Sequence, residues 1–185
     1  MIPFIKVLHL RLLLAAALPM VLGSCASPSL ETFKDEQPQF KPEEFFSGHT
    51  RSWGTFETRS GKPTKIIETK TMGRWDGSVL LFEQDIFIAH KKKSHRTWVI
   101  RKLDDHHYSA TGTGIVGTAR GEARGNAFHL EFTLDALPGN PLGRVHMSQW
   151  MYLQADGLSM INRATISKAG VTLTEITEHF RKDKG

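Results

Sequence analysis

Almost nothing in this chain can form a covalent crosslink, because Cys25 is the only cysteine in 185 residues. An intrachain disulfide is therefore excluded, and the fold rests on packing and sheet hydrogen bonds. Long hydrophobic runs are also missing. The most apolar stretch, Leu12 to Leu22, has about 11 residues, well short of the roughly 20 a bilayer-spanning helix needs. Charge of one sign is missing too: 24 Lys+Arg stand against 19 Asp+Glu, mixed along the chain, which is no footprint for nucleic acid. From His49 onward helical periodicity is almost absent. Neither a nucleophile elbow nor a HExxH helix occurs, and "GTGIVGTARGEARGN" lacks the Walker lysine-serine pair. Those absences leave room only for catalysis by residues that converge in the fold, and no cofactor is expected.

The N-terminus has no acid among its first 25 residues. "MIPFIKVLHLRLLLAAALPMVLGSC" has Lys6 and Arg11, then the apolar run, then Gly23 and Ser24. That is the layout of a signal peptide, with a charged start, an apolar middle and a small-residue processing site. "LGSC" resembles the lipobox of bacterial lipoproteins. The resemblance implies cleavage after residue 24 and diacylglycerol and acyl groups on Cys25, enough chains for stable membrane anchoring. Ala26, where an aspartate would favour inner-membrane retention, implies the outer membrane, with the domain on its inner leaflet facing the periplasm. Processing leaves 161 residues and 22 Lys+Arg against 19 Asp+Glu, since the removed 24 hold two cations and no acid. Residues 25–39, the modified cysteine and the proline-bearing "ASPSLETFKDEQPQ", read as a flexible tether reaching roughly 20 Å. Residues 40–185 read as one domain, opened by a helical turn at Pro42 that brings Phe45 and Phe46 onto the body.

The body is a series of short segments with period-two alternation separated by turn residues. In "AFHLEFTL", Phe128, Leu130, Phe132 and Leu134 alternate with Ala127, His129, Glu131 and Thr133. Asp76-Gly77 is a hairpin signal, "KKKS" (91–94) and "DD" (104–105) read as turns, and "LPGNPLG" as a loop. The result is an all-β domain: an antiparallel up-and-down meander of about eight to ten strands. Closing it into a barrel removes the exposed edges and encloses space for a small ligand; an open sandwich is the alternative. Glu131, His129, Arg163 and Thr165 on the outer faces argue against a transmembrane barrel.

Six segments together, "FFSGHTRSWGTFETRSGK", "WDGSVLLFEQDIF", "RTWVIRK", "VGTARGEARGNAF", "WMYL" and "INRATISKAGV", resemble the domain-of-unknown-function family 3833 of Gram-negative lipoproteins, over about Phe45 to Phe180. The resemblance implies a lipocalin-like barrel. It also implies a link to envelope lipid metabolism, since members are often encoded beside enzymes of fatty-acid modification. Gly48 and Trp53 are similar to the glycine and tryptophan that open lipocalin barrels.

Strand parity selects polar residues that share the apolar face. Asn126 is in register with Phe128 and Leu130, Gln149 with Met147 and Met151, Asn162 with Met160 and Ile166. Each either orients a ligand's polar group or satisfies backbone, as buried amides must. In "LLFEQDIF", Leu80, Phe82, Ile86 and Ile88 form one face, and Val79, Leu81 and Phe87 flank Glu83 on the other. If that second face were the lumen, Glu83 would need Arg96 or Arg101 as a partner, or the arginine would take a ligand carboxylate. "DDHH" (104–107) cannot converge on one metal, because neighbours on a strand point to opposite faces. "HKKKSHR" (90–96) is a basic tip, either solvated or touching anionic lipid.

Three readings follow: a barrel binding a fatty-acyl or other apolar ligand, a lipid-modifying enzyme on that barrel using Glu83, or a non-catalytic envelope scaffold. All share the anchor. Cys25→Ala should release the protein from the membrane fraction and abolish radiolabelled palmitate incorporation, while the isolated domain keeps its circular dichroism spectrum. A parent that incorporates no palmitate, or a variant that is still labelled, would refute the lipobox reading.

Overall fold

A computed structural model describes residues 29–184; the expected signal peptide and lipobox, with Cys25, lie outside the described residues. Ten strands follow in order: β1 (Gly48–Glu57), β2 (Pro63–Trp75), β3 (Val79–Ile88), β4 (Lys91–Lys102), β5 (His107–Gly112), β6 (Ile115–Arg124), β7 (Ala127–Asp135), β8 (Arg144–Leu153), β9 (Ser159–Lys168) and β10 (Val171–Lys182). Each pairs antiparallel with its sequence neighbours, and β1 closes the sheet onto β10 from Thr50↔Lys182 to Glu57↔Glu175. The expected lipocalin-like barrel is formed, at the upper end of the expected strand number, and the sandwich is not.

Alternation decides what is inside. Along β7, Phe128, Leu130 and Phe132 are buried while Glu131 between them is exposed. On β3 the inward set is Leu80 and Phe82, continued by Gln84 and Ile86. Aromatic rings link these walls: Phe46 stacks on Phe82 at 5.3 Å, Phe82 on Trp98 at 5.9 Å, and Trp98 meets Phe132 edge-on at 5.2 Å. The glycines of "GTGIVGTARGEARGN" serve strands and turns. Gly114 is in the β5–β6 turn, Gly117 falls within a register shift, and Gly121 makes room for the Phe128 ring.

Two local expectations need correction. The β3–β4 turn is Ala89-His90, both with positive φ (49° and 63°), and Lys91–Ser94 begin β4. A two-residue hairpin needs positive φ at both positions, and here residues without the usual glycine or asparagine signature adopt it. Trp53 faces outward at 48 % exposure while Ser52 points in, so its likeness to the lipocalin tryptophan does not extend to position.

One end of the barrel is plugged. Pro42 opens the single turn α1 (Pro42–Phe45), and Phe40, Phe45 and Phe46 are buried against the strands. Gly73 lets the plug approach, since a Cβ there would overlap the Phe46 carbonyl oxygen. Buried Glu43 fastens it: the Tyr108 hydroxyl donates to Oε2 at 3.0 Å, and Lys102 Nζ lies 3.2 Å from Oε1. Burial and this carboxylate push the Tyr108 pKa up.

The segment before the plug is not free. A 3-10 turn (Leu30–Phe33) buries Leu30, Phe33 packs on Tyr152 with ring centroids 5.2 Å apart, and the Phe40 amide donates to the Gly125 carbonyl at 2.7 Å. The tether expected over 25–39 is therefore a strap on the barrel wall from Ser29 onward. The polar composition of "LETFKDEQPQ" hid the apolar contacts of Leu30 and Phe33. Glu43→Leu should leave the Tyr108 hydroxyl buried without an acceptor, costing about 1–3 kcal/mol. A lower urea midpoint at unchanged slope would show it; an unchanged midpoint would mean the plug does not rely on this carboxylate.

Candidate ligand-binding site

The lumen holds a cavity of about 250 Å³, near the small end of ligand pockets (roughly 300–1,000 Å³). Phe46, Phe128 and Phe180 line it near the plug, and Phe82, Trp98, Leu130 and Met147 along its walls. Phe56, Ile86, Ile88, Leu134 and Ile166 carry the lining toward the other end. Exposure grades along that path: the residues near the plug are buried, whereas these five are only partly so. The cavity therefore communicates with solvent at the end opposite the plug.

Within this apolar lining stand a few polar groups. Arg96 on β4 projects inward beside Gln84, its cross-strand neighbour, with its guanidinium 5.7 Å from the Trp98 ring centroid. Among the described residues no carboxylate lies within ion-pair distance of it. Burial lowers its pKa, yet a guanidinium stays charged at neutral pH. The cavity thus presents a desolvated cation held against an aromatic face.

On β10, four strands away around one side of the ring, is Glu178. It is buried and accepts from Ser52 Oγ at 2.7 Å and Asn162 Nδ2 at 3.1 Å. Ser52 in turn shares a 2.7 Å hydrogen bond with Thr69. No lysine or arginine pairs with Glu178 among the described residues, and burial drives its pKa up, its two hydrogen bonds opposing only in part. Asn162 Oδ1 is buried without a partner.

Of the residues singled out from sequence, Arg96, Gln149 and Asn162 line the cavity. Asn126 does not: it sits in the β6–β7 turn, where Nδ2 donates to the Leu153 carbonyl at 3.1 Å. Glu83 is corrected outright. Phe82 and Gln84 take the inward positions, so Glu83 between them is exposed on the outer wall, across the sheet from Arg96. The lumenal Glu83–Arg96 pair is therefore not formed, and Arg101, on the same outer face as Glu83, stands four residues further along β4 than Thr97, the cross-strand partner of Glu83. The residue that parity could have found is Glu178, because in "VTLTEITEHF" it shares its face with Ile176 and Phe180, both buried.

Two outer clusters have simpler roles. Asp104 accepts from the amides of His106 and His107, each at 2.8 Å, which with the His107 side chain holds its pKa down at about 2. Among the described residues no group of three metal-ligating side chains converges. His129 stacks on Trp150 at 4.2 Å and bonds Ser148 Oγ through Nε2 at 2.8 Å, but Glu131 approaches the same nitrogen at 3.7 Å. A serine–histidine–acid relay needs the acid on the other ring nitrogen, so this is not a triad.

A closed antiparallel barrel with an apolar lumen, one charged wall group and an open end is the architecture of a small-ligand binder. The chain belongs to the family described as "Protein of unknown function (DUF3833)", which matches residues 19–182. Among solved structures, an S-type phycobiliprotein lyase, CPES from Guillardia theta, is similar at TM-score 0.59 and 13 % identity, covering 85 % of this chain and 99 % of its own. Rv2717c from M. tuberculosis is similar at TM-score 0.56 and 13 % identity, covering 81 % of this chain and 100 % of its own. At such identities the likeness is one of fold. No curated protein matches the chain at a comparable level.

Glu178 makes a pH-dependent prediction. Its folded pKa lies above the ordinary 4.5, so as pH rises past 4.5 the unfolded chain releases this proton first and the folded state loses stability, until folded Glu178 ionises. Glu178→Gln, which mimics the protonated acid, should remove that decline and exceed the parent in stability at neutral pH. Urea midpoints from acid to neutral pH measure it; parallel profiles for the two proteins would mean that Glu178 folds ionised.

Proposed function

We propose that the protein is an outer-membrane-anchored periplasmic lipoprotein whose barrel binds an apolar ligand with an anionic head, a fatty-acyl carboxylate being the simplest fit. The observation that carries this reading is Arg96, a cation without a carboxylate partner among the described residues, set in a cavity lined by Phe82, Trp98, Ile86 and Met147. A buried cation is costly unless its charge is met, and a ligand carboxylate meets it with a bidentate geometry suited to guanidinium. The acyl tail supplies affinity at about 0.8 kcal/mol per methylene withdrawn from water, and the arginine supplies orientation.

The wider setting supports the same reading. The resemblance of "LGSC" to a lipobox supports a place at a membrane. The fold is shared with a protein named as a phycobiliprotein lyase, which fits a barrel that handles a small molecule. The polar groups left in the lumen are amides, hydroxyls and one carboxyl held by hydrogen bonds, which favours holding a ligand over transforming it.

Native mass spectrometry of residues 25–185, produced without acylation, should reveal a co-purified lipid. Arg96→Gln should weaken binding of a medium-chain fatty acid by about ten- to a hundred-fold, the value of a charged hydrogen bond, and leave binding of its methyl ester unchanged. A parent protein that takes up no fatty acid, or that binds acid and ester alike, would sink the proposal.

A further inference from the structure

The open rim of the barrel is strongly basic. In a closed meander alternate turns share an end. The open end collects the turns 58–62, 89–90, 113–114, 136–143 and 169–170. In and within three residues of them stand Arg59, Lys62, Lys65, the run Lys91–Lys93, Arg144 and Lys168 against Glu57 and Asp135. At the plugged end the turn residues Asp76, Asp104, Asp105 and Asp156, with Glu122, are offset by Arg74, Arg101, Lys102, Arg124, Arg181 and Lys182 on the adjoining strand ends. Among the described residues only Lys92 of this set is ion-paired, with Asp85 at 2.6 Å.

The same rim is apolar as well as basic. Leu137 and Leu142 in the β7–β8 loop are 59 % and 75 % exposed, and Val171 and Leu173 at the start of β10 are 54 % and 52 % exposed. An aqueous surface gains nothing from four large apolar side chains interleaved with unpaired cations. A bilayer interface satisfies both, with the leucines below the headgroups and the cations among the phosphates.

We propose that this rim is a docking surface for an anionic lipid bilayer, and that it seats the mouth of the cavity directly on the lipid. The surface stands on its own charge and exposure. What passes through it, an acyl ligand moving between leaflet and lumen without crossing water, rests on the function proposed above.

The test uses residues 25–185 without acylation, floated with vesicles of phosphatidylglycerol and phosphatidylethanolamine or of phosphatidylcholine alone. Binding should require the anionic lipid and fall with salt. Lys91→Glu with Lys93→Glu should weaken it more than about 25-fold, each cation near the surface being worth about five-fold. Leu142→Ser should weaken it at unchanged salt dependence. The equal charge change on the side wall, Arg51→Glu with Lys70→Glu, should have little effect. Equal losses from rim and wall variants, or no binding of the parent to anionic vesicles, would overturn the proposal. So would retention on an acidic polypeptide without vesicle binding, which would assign the rim to a protein partner. Fatty-acid titration of the same rim variants separates the two readings. Uptake preserved with docking lost from the parent overturns only the rim, and docking preserved without uptake overturns only the ligand.

Discussion

The pairing of β1 with β10 is the constraint on which the rest of the molecule depends. It turns a ten-strand ribbon into a tube, and once the tube closes, every strand must send alternate side chains to a lumen of fixed size. No crosslink helps to hold it, so the tube rests on hydrogen bonds between strands and on the rings of Phe46, Phe82, Trp98 and Phe132 packed across the interior. Closure also removes every free sheet edge, which suits a chain expected to work in a crowded envelope.

Alternation was legible in the residues wherever one face was purely apolar. "AFHLEFTL" reads inside and outside without ambiguity, and Gln149 and Asn162 follow from their neighbours' parity. It failed where both faces carried apolar residues. In "LLFEQDIF" the flanking Val79, Leu81 and Phe87 make the outer face look like a lumen, which draws Glu83 to the wrong side. Arg96 on β4 does face the lumen, but Glu83, its expected partner, lies beyond the sheet. Glu178 is hard to find because a glutamate in a strand reads as solvent-facing. Its place among Ile176 and Phe180 is set by parity, and its acceptability there by Ser52 and Asn162, which only the fold brings together. The strap of residues 29–40 was illegible for a different reason, since its contacts are made by a few apolar side chains in an otherwise polar stretch.

The lumen solves a problem of polarity with two unlike groups. Arg96 keeps its charge and lacks an internal counter-charge, whereas Glu178 is pushed toward its neutral form and satisfied by hydroxyl and amide donors. A cation left open and a carboxyl quieted by its neighbours give the cavity a single net sign. That sign matches the basic rim at its entrance.

The strap has a mechanical meaning besides its structural one. The plug that closes the barrel is continuous with the segment leading to the N-terminus, so any pull on that terminus is directed at the floor of the cavity. Leu30 buried on the wall, Phe33 against Tyr152, and the Phe40 amide on Gly125 stand between them in series. They act as strain relief on a cord: tension on the N-terminus is taken up on the outer wall, and the packing around Phe45 and Phe46 is left undisturbed.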